Sequence, residues 1–294
     1  MAELFKKYGY APDKEAIDAN LQTLSSKLEE IASKEVFLTC FSAMDLTTLK
    51  TNDTYEGVEK LVNKVNAFKK AYPSYPLPAS VCVYSNFAKV VSTTRQTPEL
   101  HTTCVSACFP SSQSFLPVKL LECEMAVKDG ADEIDVVLPL SNFLAGKYDA
   151  VREELRAVRK TVDEAGAGRK ITLKVILETG LLTPEQIAEA SFLSMEEGAD
   201  FIKTSTGKIE VNATPAAAYV MCECIKAFYK ATGKKVGFKP AGGVSTAMEA
   251  VCYYSIVKAI LGDEWLNKNL FRLGVSRLAN NLLSAIEGKT IVAF

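Results

Sequence analysis

The stretch Gly198-Ala199-Asp200-Phe201-Ile202-Lys203-Thr204-Ser205-Thr206-Gly207-Lys208 decides the fold. It is typical of a helix that ends at Gly198, a very short buried strand, and a polar loop that contains glycine. Phe201 and Ile202 supply the apolar part of the strand, and Lys203 closes it. A buried ammonium group without a partner is costly and usually loses its proton. A lysine at this position is therefore a candidate catalytic residue.

The composition excludes several classes of protein. The chain has 294 residues, which is a normal length for an α/β barrel, and 48% of them are apolar. Its net charge of −1 gives no electrostatic basis for binding nucleic acid or an anionic membrane. The first residues lack the apolar run of a signal peptide, and no apolar stretch approaches the ~20 residues of a membrane span. We therefore expect a cytoplasmic protein without nucleic-acid or membrane partners.

The cysteines and the histidine argue against a metal site. Eight cysteines occur, mostly within apolar runs, and we expect them to be reduced core residues. The spacing of Cys222 and Cys224 is too short for a zinc pair on a helix, and His101 is the single histidine. His101 precedes a predicted strand and is expected in a loop at the bottom of the fold. The sequence predicts neither a metal nor a cofactor.

Outward from the opening stretch, short apolar segments alternate with helical segments. Helical spacing of apolar residues over 12–33 predicts one N-terminal helix, within an extension over 1–35 that precedes a catalytic domain over 36–294. Continuous apolar strands indicate burial on both faces, and eight strand–helix units predict a (β/α)8 TIM barrel. The alternative fold is a doubly wound open sheet, but the sequence lacks the glycine-rich motif that is typical of that fold. The predicted strands are 35–44, 80–84, 102–108, 133–138, 171–177, 201–203, 235–239 and 271–275.

Four charged residues lie within or at the end of consecutive predicted strands: Asp135, Lys174, Lys203 and Lys239. A single such lysine is usually structural, but an apolar barrel interior does not normally hold three amines and one carboxylate. Partial burial and a neighbouring ammonium lower the pKa of a lysine, which makes it nucleophilic. The set therefore predicts Schiff-base chemistry. One lysine attacks a carbonyl, a second lowers its pKa, and Asp135 with Lys174 relays protons.

Three adjacent loops carry the residues that favour anion binding. Backbone amides at glycines and helix N-termini bind phosphate, and the loops after strands seven and eight are the usual phosphate site of this fold. Asp45 and Thr47 follow the first predicted strand and lie on the catalytic side, although a helix-capping turn explains them equally well. The predicted substrate-binding residues are Asp45, Thr47, Thr206, Gly207, Lys208, Gly242, Gly243 and Ser276.

Two signatures carry a resemblance to a known family. Residues 200–208 and 236–243, Val-Gly-Phe-Lys-Pro-Ala-Gly-Gly, resemble those of the 2-deoxyribose-5-phosphate aldolases, with support from 44–49, 131–137 and 173–180. The resemblance implies a metal-free class I aldolase that reversibly cleaves 2-deoxy-D-ribose 5-phosphate to glyceraldehyde 3-phosphate and acetaldehyde. It also implies that Lys203 forms the Schiff base and that Lys239 tunes it. Members of the family are often dimeric, so a homodimer is expected, although the sequence itself does not specify the oligomeric state.

Three departures from the family pattern leave an alternative open. Ser276 is followed by Arg277 where the family often has a second serine, Ser111-Ser112 follow Phe109-Pro110, and the last residues lack a tyrosine. These changes predict a different phosphate loop and reduced turnover. The alternative is an aldolase-like barrel that acts as a binding or scaffold protein, and a further one is an aldolase with shifted substrate choice.

Overall fold

Eight parallel strands form the centre of the molecule in the computed structural model, which describes residues 2–294. The strands pair in chain order from β1 to β7, and β8 pairs with β1. This arrangement confirms the (β/α)8 prediction over the open sheet. The strands are β1 Met44–Thr47, β2 Ser80–Tyr84, β3 His101–Ser106, β4 Glu133–Val137, β5 Thr172–Ile176, β6 Phe201–Lys203, β7 Gly237–Lys239 and β8 Leu273–Val275.

The ring closes between β7 and β8 through bridges that join a residue of each strand to a residue just outside the other. Isolated parallel bridges join Phe238 to Phe271 and Ala241 to Gly274. The backbone N–H of Gly274 donates to the Pro240 carbonyl at 2.9 Å, so the pairing extends into the loop after β7. The barrel interior is therefore enclosed on all sides by backbone.

Helices follow every strand and cover the outside of the barrel. Threonine side chains cap four of them by accepting backbone N–H bonds, namely Thr54, Thr183, Thr214 and Thr246. The helices are α1 Ala2–Tyr8, α2 Lys14–Ser25, α3 Leu28–Ile31, α4 Lys34–Ser42, α5 Tyr55–Ala71, α6 Ala88–Thr94, α7 Leu116–Lys128, α8 Leu140–Leu144, α9 Tyr148–Gly166, α10 Pro184–Glu196, α11 Pro215–Thr232, α12 Ala247–Leu261 and α13 Leu278–Glu287.

The N-terminal region differs from its prediction. The segment 35–44, predicted as the first strand, is mostly helix α4, and β1 begins only at Met44. The side chain of Ser33 caps α4 by accepting the N–H of Val36, and the apolar face of α4 buries Val36, Cys40 and Phe41. A short continuous apolar run does not distinguish a buried helix from a buried strand. The single predicted helix over 12–33 is divided into α2 and α3, and α1 precedes it.

The N-terminal helices pack on the outside of the barrel helices. Helix α1 contacts α10 and α11, while α4 contacts α12 and α13. Tyr8 of α1 stacks on Phe192 of α10 with ring centroids 4.4 Å apart. Within the described chain, no helix combines the length and apolar content that a bilayer crossing requires.

Candidate active site

The four predicted charges meet inside the barrel. Strand register places Asp135 beside Lys174 and Lys203 beside Lys239. The Nζ atoms of all three lysines lie 2.8 Å from the Asp135 carboxylate, Lys174 on Oδ1 and the other two on Oδ2. Asp135, Lys174 and Lys239 have no exposed surface, and Lys203 is 3% exposed. One carboxylate therefore contacts the amino groups of three lysines.

The three lysines differ in their acidity. Burial lowers the pKa of Lys203, and the attraction of Asp135 is too weak to restore it against the repulsion of Lys239. Burial also opposes the charged form of Lys239, but Asp135 and Asp45 outweigh it and raise its pKa. The pKa of Lys174 is likewise raised, because Asp135 and Glu133 outweigh burial. Lys203 is therefore the lysine most readily converted to a neutral nucleophile.

Further ions lie in the barrel core next to these lysines, and sequence reasoning missed most of them. Arg272 donates from Nη1 and Nη2 to Glu133 at 3.0 and 2.7 Å, and it also pairs with Asp45. Asp45 in turn pairs with Lys239, and Glu133 pairs with Lys174. Arg272 stands between Phe271 and Leu273, so a charge within an apolar strand segment was the signal that could have revealed it.

A cavity of about 250 Å³ opens above Lys203 at the carboxyl ends of the strands. Of the three core lysines, only Lys203 lines it. Seven of the eight predicted substrate-binding residues also line it: Thr47, Thr206, Gly207, Lys208, Gly242, Gly243 and Ser276. The amine predicted to be the nucleophile and the loops predicted to bind phosphate therefore share one cavity.

Asp45 is the exception among the predicted substrate-binding residues. It lies within β1 rather than after the first strand, and it has no exposed surface. Its Oδ1 accepts a hydrogen bond from Ser80 Oγ at 2.8 Å, and its carboxylate pairs with Lys239 and Arg272. The structure thus places Asp45 below the cavity, against the lysine side chains.

Glycines shape the loops around the cavity. Gly207, Gly242 and Gly243 have φ angles of 78°, 80° and 84°, which residues other than glycine rarely adopt. At Gly242, an added Cβ would lie 2.7 Å from Asn212 Oδ1. At these three glycines, the backbone borders the cavity directly, with no side chain in between.

The two neighbouring helix N-termini differ. Glu249 accepts hydrogen bonds from the backbone N–H groups of Ser245 and Thr246 at 2.7 and 2.8 Å, so the start of α12 already holds a carboxylate. The start of α13, at Arg277, has no side-chain cap. Unpaired N–H groups and the helix dipole make such a terminus favourable for an anion. Helix α13, next to Ser276, is therefore better suited to a phosphate than α12.

Glu178 anchors the loop after β6, and its role was not predicted. It accepts hydrogen bonds from the backbone N–H of Thr206 at 3.0 Å and from Thr206 Oγ1 at 2.6 Å. The Thr206 hydroxyl also accepts the N–H of Lys208, while Lys208 Nζ donates to the Leu49 carbonyl. Thr206 thus positions the loop, and Lys208 connects it to the loop after β1.

The remaining candidates have structural positions. His101 is the first residue of β3 rather than a loop residue, and its Nδ1 lies 2.6 Å from Glu133 Oε1 at the amino end of the strands. Cys82 is fully buried in β2, where it packs with Leu49 and Val105. Arg277 is exposed and does not line the cavity.

Comparison with known proteins gives one consistent family. The profile of the DeoC/LacD family aldolases matches residues 39–259. Human deoxyribose-phosphate aldolase is 40% identical over 257 residues, which cover 81% of this chain and 77% of the human protein. The mouse deoxyribose-phosphate aldolase is 40% identical over 262 residues, covering 83% of this chain and 77% of the mouse protein.

Solved structures agree on the fold. The deoxyribose phosphate aldolase from Aeropyrum pernix, described as a unique tetramer, superposes with a TM-score of 0.67 at 23% identity. The match covers 93% of this chain and 98% of that structure. With the barrel, its buried lysines and a family match over most of the sequence, the chain belongs to the DeoC/LacD aldolase family.

Proposed function

We propose that this protein is a deoxyribose-phosphate aldolase of class I. It reversibly cleaves 2-deoxy-D-ribose 5-phosphate to D-glyceraldehyde 3-phosphate and acetaldehyde through an imine on Lys203. Relatives that carry this name are about 40% identical over most of the chain. The observation that carries the assignment of the nucleophile is that Lys203 is the one core lysine that both lines the cavity and has a lowered pKa.

The reaction follows from the positions of the charges. The neutral amine of Lys203 attacks the aldehyde carbon of the open-chain sugar, and loss of water leaves a protonated imine. Removal of the proton from the C3 hydroxyl breaks the C2–C3 bond, and its electrons flow to the iminium nitrogen. Protonation of the resulting enamine at C2 and hydrolysis release acetaldehyde and regenerate Lys203. Asp135 lies 2.8 Å from Lys203 Nζ, within reach of proton transfer directly or through one water.

Lys239 and Lys174 act without entering the cavity. Lys239 shares Asp135 Oδ2 with Lys203, so its charge repels a proton on the Lys203 amine. Lys174 holds the other oxygen of Asp135, which fixes the carboxylate between the two strands. These contacts support a tuning role for Lys239 and a share in proton transfer for Asp135 and Lys174.

The far end of the cavity supports phosphate binding. Backbone amides of Gly207, Gly242 and Gly243, with the uncapped start of α13 next to Ser276, offer donors without a competing carboxylate. Lys208 is an exposed residue whose Nζ donates to the Leu49 carbonyl, and it adds a positive charge at the mouth of the cavity. The aldehyde end of the sugar would lie at Lys203 and its phosphate at these loops. The scaffold alternative has no support from the family comparisons, since the relatives are named as aldolases.

Borohydride trapping tests the proposed function directly. Incubation with acetaldehyde or 2-deoxyribose 5-phosphate, followed by reduction, should leave one covalent adduct that peptide mass spectrometry maps to Lys203. Lys203→Ala should abolish the adduct, whereas Lys235→Ala, a matched change at an exposed lysine paired with Glu264, should not. Absence of any adduct on the folded protein would overturn the proposal, and an adduct that persists in Lys203→Ala would show that another lysine reacts.

We further propose that the protein is a cytoplasmic homodimer that associates through helix α7. The outer face of α7 and the residue before it expose Phe115, Leu121 and Met125 by 81%, 54% and 57%, while its inner face buries Cys123 and Val127. A helix that is apolar on both faces is usually covered on both. Within residues 2–294, which contain all eight cysteines, each cysteine is free, and this supports a reducing compartment.

Light scattering tests the association. The wild-type protein should have twice the mass of one chain, and Leu121→Lys should reduce it to the mass of one chain. Leu144→Lys, at another exposed leucine on α8, serves as the matched control and should remain a dimer. A Leu121→Lys variant that keeps the wild-type mass would exclude α7 as the interface.

A further inference from the structure

A second set of buried ions lies beside the lysines and does not contact the cavity. Arg272 is 2% exposed, and its guanidinium bridges Asp45 and Glu133. Neither Arg272 nor the two carboxylates line the cavity above Lys203. A direct contact with substrate therefore does not explain why the barrel core holds an arginine and two more carboxylates.

Every member of this set has partners on several strands. Glu133 on β4 also contacts Lys174 on β5, His101 Nδ1 at 2.6 Å and Thr103 Oγ1 at 3.0 Å on β3. Because an unpaired buried charge is costly, removal of any one of these partners would destabilise the folded protein.

Asp45 and Arg272 complete the set. Asp45 on β1 contacts Lys239 on β7 and Ser80 on β2. Arg272 also donates to the Lys268 carbonyl, and its guanidinium carbon lies 5.7 Å from the ring centroid of Phe201 on β6. Arg272 thus touches the carboxylates that hold the other two lysines in place.

The core carries one positive charge more than its carboxylates can balance when His101 is neutral. Its four cations and three anions are Lys174, Lys203, Lys239 and Arg272 against Asp45, Glu133 and Asp135. Lys203 faces Asp135 and Lys239 among charged groups, with the Cys82 thiol nearby. It has one carboxylate partner, and it shares the contacting oxygen with Lys239. Of the four cations, Lys203 is therefore the one whose charged form the carboxylates stabilise least.

We propose that Arg272 is a positioning residue that keeps Lys203 neutral. By occupying Asp45 and Glu133, it prevents these carboxylates from stabilising a proton on the Lys203 amine, and it holds them where they orient Lys239 and Lys174. The inference rests on the proposed function for its catalytic meaning, but the state of the Lys203 amine can be measured without turnover.

Arg272, Asp45 and Glu133 act on Lys203 through their electrostatic field and do not transfer protons. Although burial alone would favour the neutral forms, the pKa of Glu133 is held well below its usual range by Arg272 and Lys174. The pKa of Arg272 is raised by Glu133 and Asp45 against the effect of burial. Both groups therefore stay charged while Lys203 changes its protonation state.

Charge-changing variants give shifts of opposite sign. Arg272→Met removes a cation and should raise the pKa of Lys203, whereas Glu133→Gln removes an anion and should lower it. Each shift should be about one pH unit, which is the size of effect that a unit charge has across about 10 Å at an effective dielectric constant of about 20. The double variant Arg272→Met/Glu133→Gln restores the surplus of one positive charge and should return the pKa close to the wild-type value. Arg272→Lys keeps the charge and should also stay close to it.

The readout is the rate of reductive methylation of Lys203 by formaldehyde and cyanoborohydride as a function of pH, followed by peptide mass spectrometry. The pH dependence of kcat/KM for the aldol cleavage is measured in parallel. Opposite shifts in the two single variants and their cancellation in the double variant support the proposal. Unchanged midpoints, or shifts of the same sign in both, overturn it.

The two proposals fail in different ways. Wild-type protein without aldolase activity but with the expected methylation shifts would refute the proposed function and leave the role of Arg272 standing. If the enzyme is active but the pH midpoint of Lys203 methylation is the same in all charge variants, the proposed function stands and the role of Arg272 is refuted. If Arg272→Met does not fold, the downward shift in Glu133→Gln decides the question.

Discussion

Replacing Lys239 by methionine removes the positive charge nearest to Lys203 and keeps a side chain of similar length. Both ammonium nitrogens lie 2.8 Å from Asp135 Oδ2, so their separation is at most twice that distance. At about 5 Å and an effective dielectric constant of about 20, two like charges repel by about 3 kcal/mol, which corresponds to about two pKa units. We therefore expect the pKa of Lys203 to rise by about two units in Lys239→Met.

The pH dependence of kcat/KM for deoxyribose 5-phosphate cleavage measures this change, because it reports ionisations of the free enzyme. The neutral fraction of Lys203 falls tenfold per unit, so activity near neutral pH should fall about 100-fold. The acid limb should move upward by about two pH units, and much of the activity should return at high pH. Lys235→Met, at an exposed lysine, should leave the profile unchanged. A folded Lys239→Met protein with equal loss at every pH would refute the reasoning.

Three further changes test the surroundings of the site. Gly274→Ala places a methyl group 2.7 Å from Ala241 Cβ and 3.1 Å from Lys239 Cε, so kcat should fall at least tenfold while circular dichroism stays native. Glu178→Gln weakens the anchor of the loop after β6, and it should raise KM for the phosphorylated sugar more than KM for unphosphorylated deoxyribose. The pKa of Glu133 is lower in the folded than in the unfolded protein. Its ionised carboxylate therefore contributes fully to the free energy of unfolding above about pH 5, and this contribution is lost as the pH falls. Urea unfolding should therefore show a shallower loss of stability below about pH 4 in Glu133→Gln than in wild type.

The fold was largely predictable because buried parallel strands have a simple signature. Seven of the eight predicted strands match observed strands to within a few residues at their ends, whereas the eighth, 35–44, shares only Met44 with β1. The prediction for 35–44 was wrong because an apolar helix packed against α12 and α13 carries the same run of apolar residues as a buried strand. The cap at Ser33 was the local signal that favoured a helix.

The candidate site was predictable only in part. Charges within apolar strands identified Asp135, Lys174, Lys203 and Lys239, whose convergence the structure supports. The positions of Asp45 and Arg272 depend on the stagger of neighbouring strands, which sequence does not specify. Glu178 was hidden for another reason, since its contacts with Thr206 join loops from two different strands.

The ionic interior of the barrel has a consequence for how this protein responds to selection. Buried ion clusters are often no more stabilising than well-packed apolar side chains of similar volume, and sometimes less. A variant with apolar residues at Asp45, Glu133, Lys174 and Arg272 is therefore a plausible route to a more heat-resistant barrel. Such a variant keeps the surplus of one positive charge, but it loses the contacts with Asp45 and Lys174 that orient Lys239 and Asp135 beside Lys203. Screening for thermostability alone would thus reduce activity through substitutions in the core, at positions that do not line the cavity.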